Sequence, residues 1–245
     1  MTIPERETQG SGIVETPLEA IEGMIDERVR VEDREFVISR PEKSDALLDH
    51  PAVRARFGSG EYLPYWVDLW PSARMLSKAI LREQWTAGTR ALEIGCGLGL
   101  PGIAALSAGL RVTFSDCDRT ALHFAGHNAR ANGLADFDLL PLDWNHPPSG
   151  LSFALVFGSD LIYEARNVAP LVELIGQVLA PAGECLITDQ DRIPADLLRR
   201  TLVAHGMQFT TKVMHAGEPG GRRSRGTLYR IVRTRTGLDP SERVG

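Results

Sequence analysis

A regular alternation of strand-like and helix-like segments begins near residue 89 and constrains the fold of this chain more than any other feature. Short apolar runs typical of strands occur at 90–94, 111–115, 137–140, 153–157 and 184–188. Stretches with helical spacing occur at 101–109, 118–132, 164–180 and 194–205. Parallel strands need long crossover connections of this kind, whereas antiparallel strands can be joined by tight turns. The alternation therefore predicts an α/β domain whose parallel sheet carries helices on both faces.

The segments on either side of the alternation extend this fold. Two β-like runs at 207–214 and 226–232 follow the last helix and predict an antiparallel hairpin. The complete sheet is then Rossmann-like, with seven strands that are mostly parallel. Upstream, runs at 28–32 and 35–39 predict a small β-hairpin, and a short helix is expected within 41–56.

These segments divide the chain into three parts. We predict an N-terminal extension over residues 1–60, in which the first dozen residues are expected to be disordered. The main domain covers residues 61–235, and residues 236–245 are expected to be a frayed tail.

Charge and composition exclude several classes of protein. The 245 residues include 27 Lys and Arg against 32 Asp and Glu, a net charge of -5, so obligate binding to nucleic acid is disfavoured. No apolar run reaches the roughly 18 residues that a membrane helix needs, and the N-terminus lacks a signal pattern. The three cysteines form no metal-ligand spacing, and the six histidines show no pairing in the sequence. We expect a cytoplasmic protein with reduced thiols, no metal and no membrane partner; its oligomeric state is not predicted.

A glycine-rich loop follows the first strand of the alternation, in the run LEIGCGLG at residues 92–99. Gly95, Gly97 and Gly99 would let the chain turn sharply and approach a ligand closely, because no Cβ atom stands in the way. Asp116 ends the second strand, where its carboxylate would accept hydrogen bonds from ribose hydroxyls. The loop therefore predicts a site for a nucleoside-containing cofactor.

Two cofactors are compatible with this loop. Gly97, Gly99 and Gly102 match the dinucleotide pattern GxGxxG. However, Glu93 precedes Gly95 by two residues and creates the ExGxGxG pattern typical of methyltransferases. About 90 residues also precede the loop, and Pro101 removes an N–H that a pyrophosphate would use. These features favour S-adenosylmethionine over a dinucleotide.

Residues beyond the loop are expected to complete the cofactor site. Asp143 and Trp144 follow the third strand, where they would contact the adenine; the alternative is a turn residue and a packing aromatic. Asp118 is expected to cap the next helix rather than to bind the cofactor.

Three segments together resemble a known family. They are the aromatic run LPYWVDLWPSA at 63–73, the glycine loop at 93–99, and the DLIY run from Asp160 to Tyr163. The chain resembles the seven-strand protein-lysine methyltransferases of the methyltransferase-like group. Within that group it is most similar to the electron-transfer-flavoprotein β-subunit lysine methyltransferase type. The Trp-Pro segment and DxxY are more specific to the family than the glycine loop, which many methyltransferases share.

The resemblance implies an S-adenosylmethionine-dependent N-methyltransferase that acts on a lysine side chain of a protein substrate. It places Trp70 near the cofactor, and Asp160 and Tyr163 at the entrance for the methyl acceptor. Lysine must lose a proton before it can attack, and a carboxylate such as Asp160 would orient the amine. Tyr65, Trp66 and Trp70 would add aromatic walls that favour a cationic head.

Other interpretations of the same residues stay open at this stage. Asp160 is also suited to cap the next helix, Tyr163 to pack in the core, and Tyr62 and Trp66 to attach the N-terminal segment to the sheet. The alternative functions are methylation of a small amine or metabolite, with residues 1–60 as a lid, and a catalytically silent binding module of the same fold. A nicotinamide oxidoreductase is the remaining alternative.

Overall fold

The computed structural model of the protein describes residues 13–16, 20–51, 53–54, 63–191, 194–217 and 223–234. The disorder expected for the first dozen residues, the tail at 236–245 and the side chain of Tyr62 lie outside the described residues. Within the described part, the chain forms a two-stranded hairpin and a seven-stranded sheet. The hairpin consists of β1 (Met24–Val31) and β2 (Arg34–Pro41), which pair antiparallel.

The main sheet contains seven strands, as the alternation predicts. They are β3 (Arg90–Ile94), β4 (Arg111–Asp116), β5 (Phe137–Pro141), β6 (Phe153–Ser159), β7 (Leu179–Asp189), β8 (Met207–Ala216) and β9 (Ser224–Arg233). Their order across the sheet is β5-β4-β3-β6-β7-β9-β8. The five strands from β3 to β7 pair in parallel, and β9 runs antiparallel to both β7 and β8. The predicted sheet with its C-terminal antiparallel hairpin is confirmed.

Helices cover both faces of this sheet. They are α1 (Ser44–Asp49), α2 (Pro71–Leu81), α3 (Leu100–Ser107), α4 (Arg119–Ala131), α5 (Val168–Val178) and α6 (Ala195–Ala204). Successive side chains along each strand point to opposite faces of the sheet and pack into two separate cores. In β6, Leu155 and Phe157 face one core and Val156 faces the other. Helices α2, α3 and α4 pack in the first core, and α5 and α6 pack in the second. No helix in the described ranges is both long and apolar enough to span a bilayer.

The connection around β7 differs from the sequence prediction. The helix predicted over 164–180 begins only at Val168, after a short 3-10 turn, and ends at Val178. Strand β7 then starts at Leu179, five residues before the predicted run at 184–188, because Leu179 pairs with Phe153 of β6. Proline cannot continue a helix, so Pro181 is compatible with the early end of α5.

The N-terminal hairpin is attached to the main sheet through α4. Asn132, which caps the carboxyl end of α4, accepts a hydrogen bond from the Val37 amide at 2.9 Å and donates to the Val37 carbonyl at 2.8 Å. One turn earlier, Asn128 forms the same pair of bonds with Ser39, at 2.9 Å and 3.1 Å. These two asparagines fix strand β2 against the helix that follows β4.

Candidate functional site

A large cleft of about 970 Å³ opens at the carboxyl ends of the parallel strands. The strand order places β4 on one side of β3 and β6 on the other, so connections leave the sheet in opposite directions at this point. Ligands of open α/β sheets bind in the crevice that such a switch creates. The predicted residues that line this cleft are Trp70, Gly95, Gly97, Gly99, Asp116, Asp143, Trp144, Asp160 and Tyr163. Glu93 is the one predicted site residue that does not line the cleft.

The glycine loop forms the floor of the cleft between β3 and α3. Gly95, Gly97 and Gly99 all have positive φ, at 59°, 51° and 83°. A Cβ atom on Gly99 would lie only 2.9 Å from the Cβ atom of Ala125 in α4. Glycine is therefore required both by the left-handed backbone and by the close approach of the neighbouring helix.

Glu93 lies behind this loop, away from the cleft. Its buried carboxylate accepts a hydrogen bond from the amide of Gly102 at 2.9 Å, and burial holds the pKa of Glu93 well above its usual value. A Cβ atom on Gly102 would overlap both the Glu93 carboxylate and the ring of Phe114. Gly102 thus serves the packing of α3 on the sheet, and Glu93 holds the start of that helix.

Asp116 lies at the end of β4 and faces the glycine loop. One carboxylate oxygen accepts a hydrogen bond from the Gly97 amide and the other from the Asp118 amide, both at 3.0 Å. Burial raises the pKa of Asp116 to about 6, and the two amide bonds oppose that rise. The carboxylate is therefore mostly ionised at neutral pH, and the two amide bonds fix its orientation.

Asp143 and Trp144 form another wall of the cleft, next to the end of β5. The Asp143 carboxylate accepts a hydrogen bond from the Asn145 amide at 2.9 Å and lies 2.8 Å from Nδ1 of His146. This aspartate–histidine pair was not expected from the sequence. Cζ2 of Trp144 is 3.8 Å from the point where a Cβ on Gly95 would stand, so the indole borders the floor of the cleft.

Asp160 occupies the turn after β6 at the other end of the cleft. Its φ of 55° is rare for a residue with a side chain, and its amide donates to the Thr188 carbonyl at 2.9 Å. The residue is only 8% exposed, and one carboxylate oxygen accepts a hydrogen bond from the Gln190 side chain at 3.2 Å. Glu164 occupies the N-cap position of the next helical turn, so Asp160 is not its cap. A strained backbone that holds a buried acid in a cleft is typical of a functional position.

An aromatic cluster lines the same cleft as Asp160. The rings of Tyr65 and Tyr163 meet edge to face with centroids 5.6 Å apart, and Tyr65 meets Trp70 in the same way at 6.3 Å. The Trp70 indole donates a hydrogen bond to the Tyr65 carbonyl at 2.8 Å. Burial, followed by the nearby Cys117, raises the pKa of Tyr163 to about 12, so its hydroxyl keeps its proton at neutral pH.

Trp66 takes a different position from the other aromatics of its segment. It is almost fully buried, packs against Phe124 of α4 with ring centroids 5.0 Å apart, and donates a hydrogen bond to Asp118 at 2.9 Å. Asp118 also caps α4 by accepting a hydrogen bond from the Thr120 amide at 2.8 Å, as predicted. Trp66 therefore attaches its segment to the fold, and it also lines the cleft.

Several residues at the cleft carry no sequence signal that points to them. Val14 lines the cleft although it lies about 80 residues before the glycine loop. Gln190 reaches Asp160 from the end of β7, and Asn128 donates to the Leu98 carbonyl of the loop at 3.0 Å. Within the described residues, no group of histidine, cysteine and acidic side chains is arranged to hold a metal ion.

The cleft fits S-adenosylmethionine on the evidence of its own residues. The backbone of Gly95, Gly97 and Gly99 lines the cleft beside Asp116, which presents an oriented carboxylate at the strand end. The Trp144 indole lines the cleft beside Gly95, and Asp160 follows β6, on the opposite side of β3 from Asp116. The part of the cleft beside the glycine loop is therefore continuous with a second part that is lined by an acidic side chain and aromatic rings.

Comparisons with known proteins agree with this arrangement. A family model described as lysine methyltransferase matches residues 66–199. The electron transfer flavoprotein beta subunit lysine methyltransferase of Xenopus laevis is 30% identical over 159 residues, which is 64% of this chain and 53% of that protein. The histone-arginine methyltransferase METTL23 of Rattus norvegicus is 26% identical over 138 residues, or 52% of this chain and 60% of that protein. The chain thus covers little more than half the length of these relatives.

Solved structures show the same fold at low sequence identity. The ribosomal protein L11 methylase of Lactobacillus delbrueckii subsp. bulgaricus has a TM-score of 0.55 at 19% identity, covering 66% of this chain and 78% of that one. The N-methyltransferase NodS of Bradyrhizobium japonicum, in complex with S-adenosyl-l-homocysteine, has a TM-score of 0.55 at 17% identity. The match covers 69% of this chain and 91% of that one. The family match spans more than half of the chain, so this protein belongs to the lysine methyltransferase family.

Proposed function

We propose that this protein is an S-adenosylmethionine-dependent N-methyltransferase whose acceptor is a lysine side chain of a protein substrate. One observation carries the proposal: a single cleft joins the glycine loop and Asp116 to Asp160, Tyr163 and their aromatic neighbours. A methyl transferase needs a cofactor region and an acceptor region in direct contact, because the transfer is an in-line displacement.

The cofactor half of the cleft is assigned residue by residue. Asp116 would accept hydrogen bonds from the ribose hydroxyls, and the backbone of Gly95, Gly97 and Gly99 would lie along the methionine part. Asp143 and Trp144 would contact the adenine, and Trp70 would pack beside the cofactor. Glu93 would position the loop through Gly102 without touching the ligand. The sulfonium of S-adenosylmethionine supplies an electrophilic methyl group.

The acceptor half of the cleft suits a lysine amine. The carboxylate of Asp160 would bind the incoming ammonium, and the amine would face the methyl group after it loses a proton to water. Tyr163 keeps its hydroxyl proton and would orient the amine by a hydrogen bond. Tyr65 and Trp70 present ring faces and edges on the approach, where aromatic rings attract cations. Position and desolvation, rather than a strong base, would supply most of the acceleration.

The proposal also includes the domain bounds and the cellular location of the enzyme. The methyltransferase domain would cover residues 61–235, between an N-terminal extension over residues 1–60 and a tail over residues 236–245. All three cysteines are free thiols, which suits a reducing compartment, and we propose a cytoplasmic location.

The test is methylation of proteins from the host with labelled S-adenosylmethionine. Wild-type protein, Asp160→Asn and the control Asp196→Asn are compared; Asp196 lies on α6, where its side chain is 83% exposed. We expect label on a discrete protein with wild type and the control, and a loss of about 100-fold or more with Asp160→Asn. Mass spectrometry of the labelled peptide then identifies the acceptor residue.

The same experiment distinguishes the alternatives. Label on arginine would assign this chain the acceptor named for METTL23 instead of lysine. Label only in small molecules would indicate a metabolite methyltransferase. Binding of S-adenosylhomocysteine with no label in any fraction would contradict the catalytic proposal and favour a silent binding module.

A further inference from the structure

A short segment near the N-terminus runs beside the loop that follows β4. This segment, residues 13–16, is called the N-terminal strap below. The Val14 amide donates a hydrogen bond to the Cys117 carbonyl at 2.8 Å, and the Arg119 amide donates to the Val14 carbonyl at 2.9 Å. The strap therefore forms a parallel bridge with the chain immediately beyond the ribose-binding position.

Thr16 anchors the strap in the interior. Its amide donates a hydrogen bond to one oxygen of Asp118 at 3.0 Å, and its hydroxyl donates to the other oxygen. The Thr120 hydroxyl in turn donates to the Thr16 carbonyl at 2.8 Å. Thr16, Asp118 and Thr120 are all fully buried. Hydrogen bonds to a buried carboxylate are among the stronger ones in proteins, so this anchor is specific.

The anchor is also connected to two other parts of the cleft. Trp66, from the aromatic segment, donates its indole hydrogen to the same Asp118 carboxylate at 2.9 Å. The Asp118 amide donates to Asp116 at 3.0 Å, directly behind the carboxylate placed to hold the ribose. The Asp118 carboxylate thus accepts hydrogen bonds from the strap, the aromatic segment and the first turn of α4.

Val14 is the part of the strap that faces the cleft. It lines the cavity together with Cys117 and Asp116, and it is partly exposed, unlike the buried Thr16. Ligand contacts by apolar side chains stabilise a bound nucleoside by excluding water from it. An apolar side chain beside the ribose position therefore adds a wall that the sheet and its loops do not provide.

We propose that the N-terminal strap completes the cofactor site, with Val14 in contact with the adenosine half of the cofactor and Thr16 as the residue that positions it. This inference rests on the proposed cofactor. Thr16 acts through the Asp118 carboxylate and Val14 rather than by touching the ligand. The strap thereby assigns a binding role to a segment that precedes the methyltransferase domain as it is delimited from sequence.

Thermodynamic linkage predicts that bound cofactor stabilises the strap. If the ordered strap raises the affinity for the cofactor by some factor, bound cofactor must stabilise the strap by the same factor. The amides of Val14 and Thr16 are hydrogen-bonded in the strap, so their hydrogen exchange reports its opening. Saturation with S-adenosylhomocysteine is expected to slow exchange at these two amides.

The test uses the full chain and S-adenosylhomocysteine. Calorimetric titration is carried out on wild type, Val14→Ala, Thr16→Val and the control Ile21→Ala, with thermal unfolding of each. Ile21 is a partly buried apolar residue that packs on the same core but does not line the cleft. We expect Kd to rise about tenfold in Val14→Ala and Thr16→Val and to stay at the wild-type value in Ile21→Ala, with all four folded.

The outcomes separate this inference from the proposed function. Wild-type Kd values in both strap variants, with unaltered exchange at Val14 and Thr16, would overturn the inference while leaving the methyltransferase proposal intact. A lower melting temperature without a change in Kd would show that Thr16 is only structural. Absence of binding by wild type would overturn both proposals together.

Discussion

The carboxyl group of Asp116 links cofactor binding to pH. Burial raises its pKa to about 6, so it gains a proton as the pH falls through that value. A protonated carboxyl is a weaker acceptor for ribose hydroxyls than a carboxylate. We therefore expect the Kd for S-adenosylhomocysteine to be constant above about pH 7 and to rise by up to about tenfold per pH unit below about pH 6. Calorimetric titration between these limits measures the effect.

Asp116→Asn provides the control for this pH dependence. The amide has nearly the same shape but cannot titrate, and it cannot accept at both terminal atoms. This variant should bind weakly at every pH, with a flat profile across the range in which wild type changes. A profile that keeps the wild-type slope in Asp116→Asn would assign the titration to a group other than Asp116.

Helix α3 depends on a glycine that is not part of the glycine loop. Gly102 has an ordinary helical backbone, but a Cβ atom there would overlap the ring of Phe114 in β4 and the carboxylate of Glu93. We expect Gly102→Ala to reduce the free energy of unfolding by about 3 kcal/mol, at the upper end of the usual effect of overpacking. Denaturant unfolding measures the change.

Gly176 of α5 is the matched control for this substitution. It is also a helical glycine, and a Cβ atom there would meet only the flexible end of Met207, at 3.3 Å. Alanine has the higher helix propensity, so Gly176→Ala should change the free energy of unfolding by less than about 1 kcal/mol. Equal losses in the two variants would contradict the close packing of α3 on β4.

Elements that a local sequence pattern marks have nearly the same bounds in the structure as in the prediction. Strands β3 and β4 lie within one residue of their predicted bounds, because apolar spacing and the glycine loop mark them directly. The start of β7 could not be predicted in this way. It depends on pairing of Leu179 with Phe153 across the sheet, and no periodicity within 179–183 records that contact.

The N-terminal hairpin is connected to the glycine loop through the side chain of Asn128. Asn128 binds both polar main-chain atoms of Ser39 and also donates to the Leu98 carbonyl. We expect Asn128→Ala to lower stability and also to weaken binding of S-adenosylhomocysteine about fivefold or more, because the loop loses a buried partner. Titration at a temperature where the variant is folded separates the two effects.

Asn132→Ala tests whether the effect belongs to the loop or to the hairpin. Asn132 makes the same bonds to Val37 that Asn128 makes to Ser39, but its remaining bond goes to the Asn128 carbonyl and not to the loop. This variant should lose stability and keep the wild-type Kd. A similar loss of affinity in both variants would assign the effect to the hairpin as a whole.

The candidate site was predictable where its residues follow strand ends. Asp116, Asp143 and Asp160 each come after a recognisable strand, and parallel strands bring their carboxyl ends to one edge of the sheet. Val14, Thr16 and Asn128 were not predictable, because their contacts join segments some 30 to 100 residues apart. An asparagine in a helix and a threonine in a polar segment have no pattern that distinguishes them from surface residues.

The order of the last three strands has a consequence for synthesis on the ribosome. Strand β8 leaves the ribosome before β9, but it joins the sheet only through β9, which lies between β7 and β8. Until residues 224–233 are available, the edge of β7 exposes unpaired amide and carbonyl groups that can pair with another chain. The nascent chain therefore carries an exposed β7 edge, open to pairing with other chains, throughout the synthesis of β8.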